Sequence, residues 1–109
     1  MTNQEIGKIG EDSAANLLIE RGYKILERNY RAGHLEVDII AFKDGIVAFV
    51  EVKTRSVNYN IVKAADGYMR RFRRTEEARL DVITVLHKNG VVVKVEHIEN
   101  AYYPRVRTY

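Results

Sequence analysis

Asp38, Glu51 and Lys53 are the residues of this chain whose types and spacing could carry chemistry. They lie in two stretches that read as strands, residues 35–42 (LEVDIIAF) and 46–54 (IVAFVEVKT). Lys43-Asp44-Gly45 between them reads as the turn of a hairpin. With a two- or four-residue loop centred on Asp44-Gly45, Asp38 falls opposite Glu51 and Glu36 opposite Lys53. Side chains two apart on a strand share a face, so all four point the same way. Ile40 opposite Phe49 and Phe42 opposite Val47 continue that face, and Leu35, Val37, Ile39, Val50 and Val52 form the other.

Both faces are apolar over most of their length, as in a central strand pair. Carboxylates opposed across a ladder repel each other. A shared proton, a bound cation or Lys53 alone could offset that repulsion. A divalent metal is the usual solution where two carboxylates converge on strands with an amine two residues on. The competing reading is plain: Glu36–Lys53 is an ordinary cross-strand ion pair and the other acids sit at a solvated edge. The opposition of the acids depends on the loop, because a three-residue turn with a glycine bulge would shift the register by one and separate them.

The remaining elements must hold this hairpin. Thr2 with Glu5 reads as a capping box opening a helix over residues 3–21, with Ile6, Ile9, Ala14, Leu17 and Leu18 at helical spacing and Gly22 ending it. Residues 23–31 read as a strand with Tyr23, Ile25 and Asn29 alternating against charged positions. Residues 61–79 read as a second helix with an apolar stripe of Ile61, Ala65, Tyr68, Met69 and Phe72. Strands at 80–86 and 91–95 follow, joined at an Asn89-Gly90 turn. The order is α, three strands, α, two strands: a mixed α+β or α/β domain.

At 109 residues, 46% hydrophobic and 30% charged, the chain is one compact domain and not a disordered or low-complexity one. The absence of cysteine removes disulfides, zinc ribbons and thiol catalysis. The longest apolar runs, such as Ile46 to Val50, fit neither a membrane span nor a signal-peptide core, so a soluble, cytoplasmic protein is expected. Charge is uneven: residues 1–60 hold 8 Lys/Arg against 9 Asp/Glu, and residues 61–109 hold 10 against 6. Arg70, Arg71, Arg73 and Arg74 cluster within the basic half and, with Arg55, are candidates to grip phosphates; the alternative is a solvated helix face. Tyr102, Tyr103, Arg105, Arg107 and Tyr109 could stack on nucleic acid, strap a dimer or form an extended end. His34, His87 and His97 show no metal-ligand spacing and read as structural.

Asp38 followed by Glu51-Val52-Lys53 across an apolar hairpin resembles the PD-(D/E)XK nuclease core, of order αβββαβ. The chain is more closely similar to the YraN family of endonuclease-like proteins. The similarity rests on Gly10-Glu11-Asp12, residues 22–30 (GYKILERNY), residues 35–41 (LEVDIIA) and residues 49–55 (FVEVKTR), then Leu80-Asp81-Val82 and residues 97–101 (HIENA). It is dense over residues 7–55 and patchy afterwards. Two departures stand out: Leu35 replaces a usual glycine, and the helical region after Arg55 is short and lacks an expected proline and lysine.

The resemblance implies a restriction-endonuclease-like fold, a central mixed sheet flanked by helices. It implies that Asp38 and Glu51, the backbone carbonyl of Val52, and Glu11 from the first helix bind Mg²⁺ or Mn²⁺. Lys53 would orient the attacking water. From its place opposite Lys53 in the hairpin, Glu36 could hold that lysine or merely form an ordinary ion pair with it. The expected activity is metal-dependent hydrolysis of phosphodiester bonds in DNA, with branched or damaged DNA as candidate substrates. A nucleic-acid-binding module without turnover, and a structural protein whose acids merely pair with Lys53, are the alternatives. A homodimer would suit a domain this small.

Overall fold

In the computed structural model, residues 2–52 and 59–101 are described, the side chains of residues 59 and 60 excepted. The chain folds as α1 (Asn3–Glu20), β1 (Lys24–Ala32), β2 (Leu35–Lys43), β3 (Ile46–Val52), α2 (Tyr59–Arg71), β4 (Glu77–Lys88) and β5 (Val91–Ile98). The strands form one mixed sheet in the order β1-β2-β3-β4-β5, with β3 and β4 parallel and the other pairs antiparallel. The parallel pair needs a crossover, and α2 supplies it. This is the mixed α/β arrangement, with an αβββαβ core, that the sequence implied.

α1 begins with the expected capping box. Thr2 Oγ1 accepts from the Glu5 amide at 3.1 Å, and the Glu5 carboxylate accepts from the Thr2 amide at 2.7 Å. Gly22, at φ 92°, ends the helix in a Schellman arrangement, with the Tyr23 amide donating to the Leu18 carbonyl and the Gly22 amide to that of Ile19. α1 lays Ala14, Ala15 and Leu18 on Ile39, Ala41, Ala48, Val50 and Ile83. α2 covers the opposite face, packing Ile61, Ala64, Ala65 and Tyr68 on Ile40, Val47 and Phe49.

The second helix is shorter than the expected 61–79. It stops at Arg71, and β4 begins at Glu77. The cause is a second Schellman closure: the Arg74 amide donates to the Met69 carbonyl and the Arg73 amide to that of Arg70. Arg73 takes the left-handed conformation there (φ 52°), a position glycine usually fills, so the sequence carries no stop signal.

The β2–β3 hairpin closes through a two-residue loop, Asp44 (φ 51°) and Gly45 (φ 77°), with Lys43 paired to Ile46. This is the register that places Ile40 opposite Phe49 and Phe42 opposite Val47.

Faces are where expectation and structure part. Strict alternation puts Val37 and Ile39 together, yet Ile39 lies in the α1 core and Val37, with Leu35 beside it, in the α2 core. β1 changes face at the same level: Arg28 reaches Asp12 on α1 at 2.8 Å, whereas Tyr30 packs edge-on to Tyr68 of α2. The register already shifts at a bulge between Ile25 and Glu27, and between Arg28 and Tyr30 Asn29 adopts φ 52°; together these break the alternation expected of Tyr23, Ile25 and Asn29. The two strands cross from one core to the other at Asn29 and Asp38, which the pairs Arg28–Ile39 and Tyr30–Val37 bracket.

Candidate functional site: the acids where β2 and β3 part

The β2–β3 ladder runs from Lys43–Ile46 to Ile39–Val50 and goes no further among the described residues. Asp38 and Glu51 therefore sit at the mouth of an opening pair and not within a ladder. Asp38 spans the gap with its side chain, its Oδ2 accepting from the Val52 amide at 2.8 Å. That bond satisfies an amide the ladder no longer serves.

Asp38 is half-buried. Burial pushes its carboxyl up from 3.8 to about 6, the Val52 amide opposes the shift, and the charges of Glu11, Glu51 and Glu36 add to it. Among the described residues no cation lies within ion-pair distance of Asp38. Glu11 comes from α1 and lines a cleft against β1. The face change at Asn29 and Asp38 thus brings the helix acid into electrostatic reach of the hairpin acid. A carboxyl so placed can hold a proton near neutral pH or accept a cation in its stead. The oxygens that could serve a metal are the carboxylates of Asp38 and Glu51 and the carbonyl of Val52. As the side chains stand, Glu11, Asp38 and Glu51 do not converge: among the described residues no group of three or more His, Asp or Glu is drawn together tightly enough to hold an ion.

Lys53 and Arg55 lie outside the described residues, as does the tyrosine- and arginine-bearing segment 102–109. Glu36 pairs with Arg31 across the β1–β2 ladder at 3.3 Å, both side chains well exposed. The four clustered arginines are not equivalent. Arg70 extends from α2 and pairs with Asp66, while Arg71 lies over the Phe72 ring at 5.1 Å. Arg74 is past the helix end, held by Glu76 through two hydrogen bonds and stacked over Phe42 at 5.8 Å. The cluster belongs to the end of α2, whose core face is opposite that of α1 and its Glu11.

Two groups escaped the sequence reading. The first is a buried network between β4 and β5. Asp81, fully buried, accepts from Arg79 Nε and Nη2 at 2.8 and 2.9 Å, from His97 Nε2 at 2.8 Å and from the Asn100 amide at 3.0 Å. Tyr23 joins it through Arg79. Burial pushes the Asp81 carboxyl up, but the bonds from His97, Arg79 and Asn100 outweigh it and hold the group below the usual carboxylate range. A lone charged residue in the mostly apolar stretch 80–86 (LDVITVL) was the available signal, since a buried acid must be paired. It also gives His97 the structural place expected of it. The second group is Lys8 and Arg28, which flank Asp12 at 3.3 and 2.8 Å beside the cleft that Glu11 lines.

Fold and site together define a class: a mixed-sheet αβββαβ domain with Asp38 and Glu51 placed where two neighbouring strands separate. Residues 10–85 match the uncharacterised protein family UPF0102, the YraN family, and the chain belongs to it. It is 40% identical to a UPF0102 protein of Bacteroides thetaiotaomicron, over 94% of this chain and 95% of that one. It is 43% identical to a relative from Trichlorobacter lovleyi, over 92% and 91%, and 40% identical to one from Dictyoglomus turgidum, over 94% and 100%. Among the described residues no helix is long and apolar enough to cross a membrane.

Proposed function

We propose that this protein is a metal-dependent nuclease that hydrolyses phosphodiester bonds in DNA, branched or damaged DNA included. The observation that carries the reading is Asp38: half-buried, bonded to the Val52 amide, within electrostatic reach of three further acids, and without a counter-cation among the described residues. Hard carboxylate and carbonyl oxygens suit Mg²⁺ or Mn²⁺, which keep several waters and need few protein ligands. Asp38, Glu51 and the Val52 carbonyl would hold the ion, with Glu11 joining from α1. A bound divalent ion polarises the phosphoryl oxygen and lowers the pKa of its water.

The chain's own residues do the rest. The Val52 amide fixes the Asp38 carboxyl in one orientation. The charges of Glu11 and Glu51 make that carboxyl a poor place for an anion until a cation is present. Lys53, two residues after Glu51, would supply fixed positive charge where the phosphate becomes more negative in the transition state.

The test is cleavage of labelled linear duplex, single strand, flap and four-way junction in Mg²⁺, Mn²⁺ or EDTA. Metal-dependent cutting by the wild type, lost in Asp38→Asn and in Lys53→Ala, is expected. Equal cutting by wild type and Asp38→Asn would overturn the assignment. Salt-sensitive binding without cutting on any substrate would leave a nucleic-acid-binding module.

A further inference from the structure

The sheet has two edge strands of different character. β1 presents Lys24, Glu27, Arg28 and Arg31, and charged side chains on an edge discourage pairing with another chain. β5, at the other edge, presents valines. Leu86, Val91, Val93 and Ile98 are 43–68% exposed, and all four lie on β4 and β5.

The cause is uneven cover. α1 packs on Ile83, Val85, Val92 and Val95. The core under α2 takes Leu80 from β4 and nothing from β5. Alternation puts Leu86, Val91, Lys94, Glu96 and Ile98 on the face that α2 leaves open. Lys94 lies opposite Leu86 and Glu96 opposite Thr84, so neither meets an opposite charge across the β4–β5 ladder. Among the described residues neither takes part in an ion pair.

These side chains find partners when β5 meets a second β5. A twofold interface sets one patch against itself. With antiparallel strands crossing at Val95, Lys94 falls opposite Glu96 of the second copy, and Glu96 opposite Lys94 of the second copy. Val93 is the extra residue at which β5 bulges, since Val92 pairs with His87 and Lys94 with Leu86. Passing over it in the same way sets Val91 opposite Ile98 of the second copy. The axis stands perpendicular to the sheet, so opposed side chains share a face. Crossing at Lys94 or at Glu96 would instead set a charge against itself, which is destabilising.

We propose that two copies of this chain join through β5 into one continuous sheet, with Lys94 of each against Glu96 of the other. The interface uses none of the residues of the nuclease reading and stands apart from it. Sedimentation equilibrium is measured on the full-length wild type, Lys94→Glu, Glu96→Lys and an equimolar mixture of the two variants. Circular dichroism checks that each is folded; both positions are exposed.

The wild type should reach twice the 12.6 kDa of one chain. Each single variant opposes like charges at two places and should dimerise at least about tenfold more weakly. In the mixture the acids of one variant face the lysines of the other, so dimers should return. The double variant Lys94→Glu/Glu96→Lys should dimerise by itself. A monomeric wild type overturns the proposal. So does a dimer that both single variants keep, or one that they lose and that neither the mixture nor the double variant restores.

Discussion

The Asp38 carboxylate accepts a hydrogen bond from the Val52 backbone amide at 2.8 Å, one residue beyond the end of the β2–β3 ladder on β2 and two beyond it on β3. A side chain thereby replaces a strand–strand bond and holds the separating strands at a fixed distance. An asparagine can accept the same bond and an alanine cannot. Asp38→Ala should accordingly be less stable than Asp38→Asn by about 1–3 kcal/mol, the cost of an unsatisfied amide. Equilibrium urea unfolding of the two variants checks this.

The same carboxyl makes stability depend on pH. Its value in the folded protein is about 6, above the ordinary 3.8, so the folded state binds the proton more tightly. Below about pH 4 both states are protonated and nothing is lost. As pH rises from 4 to 6 the folded state is penalised, and above that the penalty is complete. In EDTA, Asp38→Asn should therefore gain on the wild type by about 1–2 kcal/mol between pH 4 and pH 7.5, after allowance for solvent screening. Thermal melts across that range measure it. Added Mg²⁺ should raise the wild-type melting temperature at pH 7.5 and leave Asp38→Asn unchanged.

Asp81 holds Arg79, His97 and the Asn100 amide together in the α1 core. Removing it strands a guanidinium that is only 11% exposed. Asp81→Ala should cost about 3–5 kcal/mol, the penalty for an unpaired buried charge. Urea unfolding should show the midpoint fall, and a loss under 1 kcal/mol would contradict the network's role.

Arg73 separates stability from binding. Its left-handed backbone is a cost that glycine avoids. Arg73→Gly should stabilise the protein by about 0.5–1 kcal/mol. If Arg73 also grips a phosphate, the same variant should bind DNA more weakly with a reduced salt slope. Thermal melting and fluorescence anisotropy on one sample read both.

How much of this was legible in sequence depends on where glycine marks the backbone. Asp44-Gly45 and Asn89-Gly90 declared their turns, Gly22 declared the end of α1, and the hairpin register followed. Arg73 and Asn29 take glycine's conformation without being glycine. The end of α2 was therefore missed, and so was the face change that sends Val37 and Ile39 into opposite cores. Asp38 was legible as a chemical residue, and the resemblance joined it to Glu11, yet its bond to the Val52 amide was not legible, because it depends on strands that separate and on a face change that period-two alternation does not anticipate. The Asp81 network joins residues far apart in the chain, and only the packing of β4 on β5 unites them.

The central claim is that Asp38 and Glu51 form a divalent-cation site, and titration calorimetry with Mn²⁺ tests it without any nucleic acid. The account predicts saturable binding to the wild type near pH 7.5, lost or weakened at least tenfold in both Asp38→Asn and Glu51→Gln while each variant remains folded. Mn²⁺ binding that is absent from the wild type, or identical in all three proteins, would contradict it.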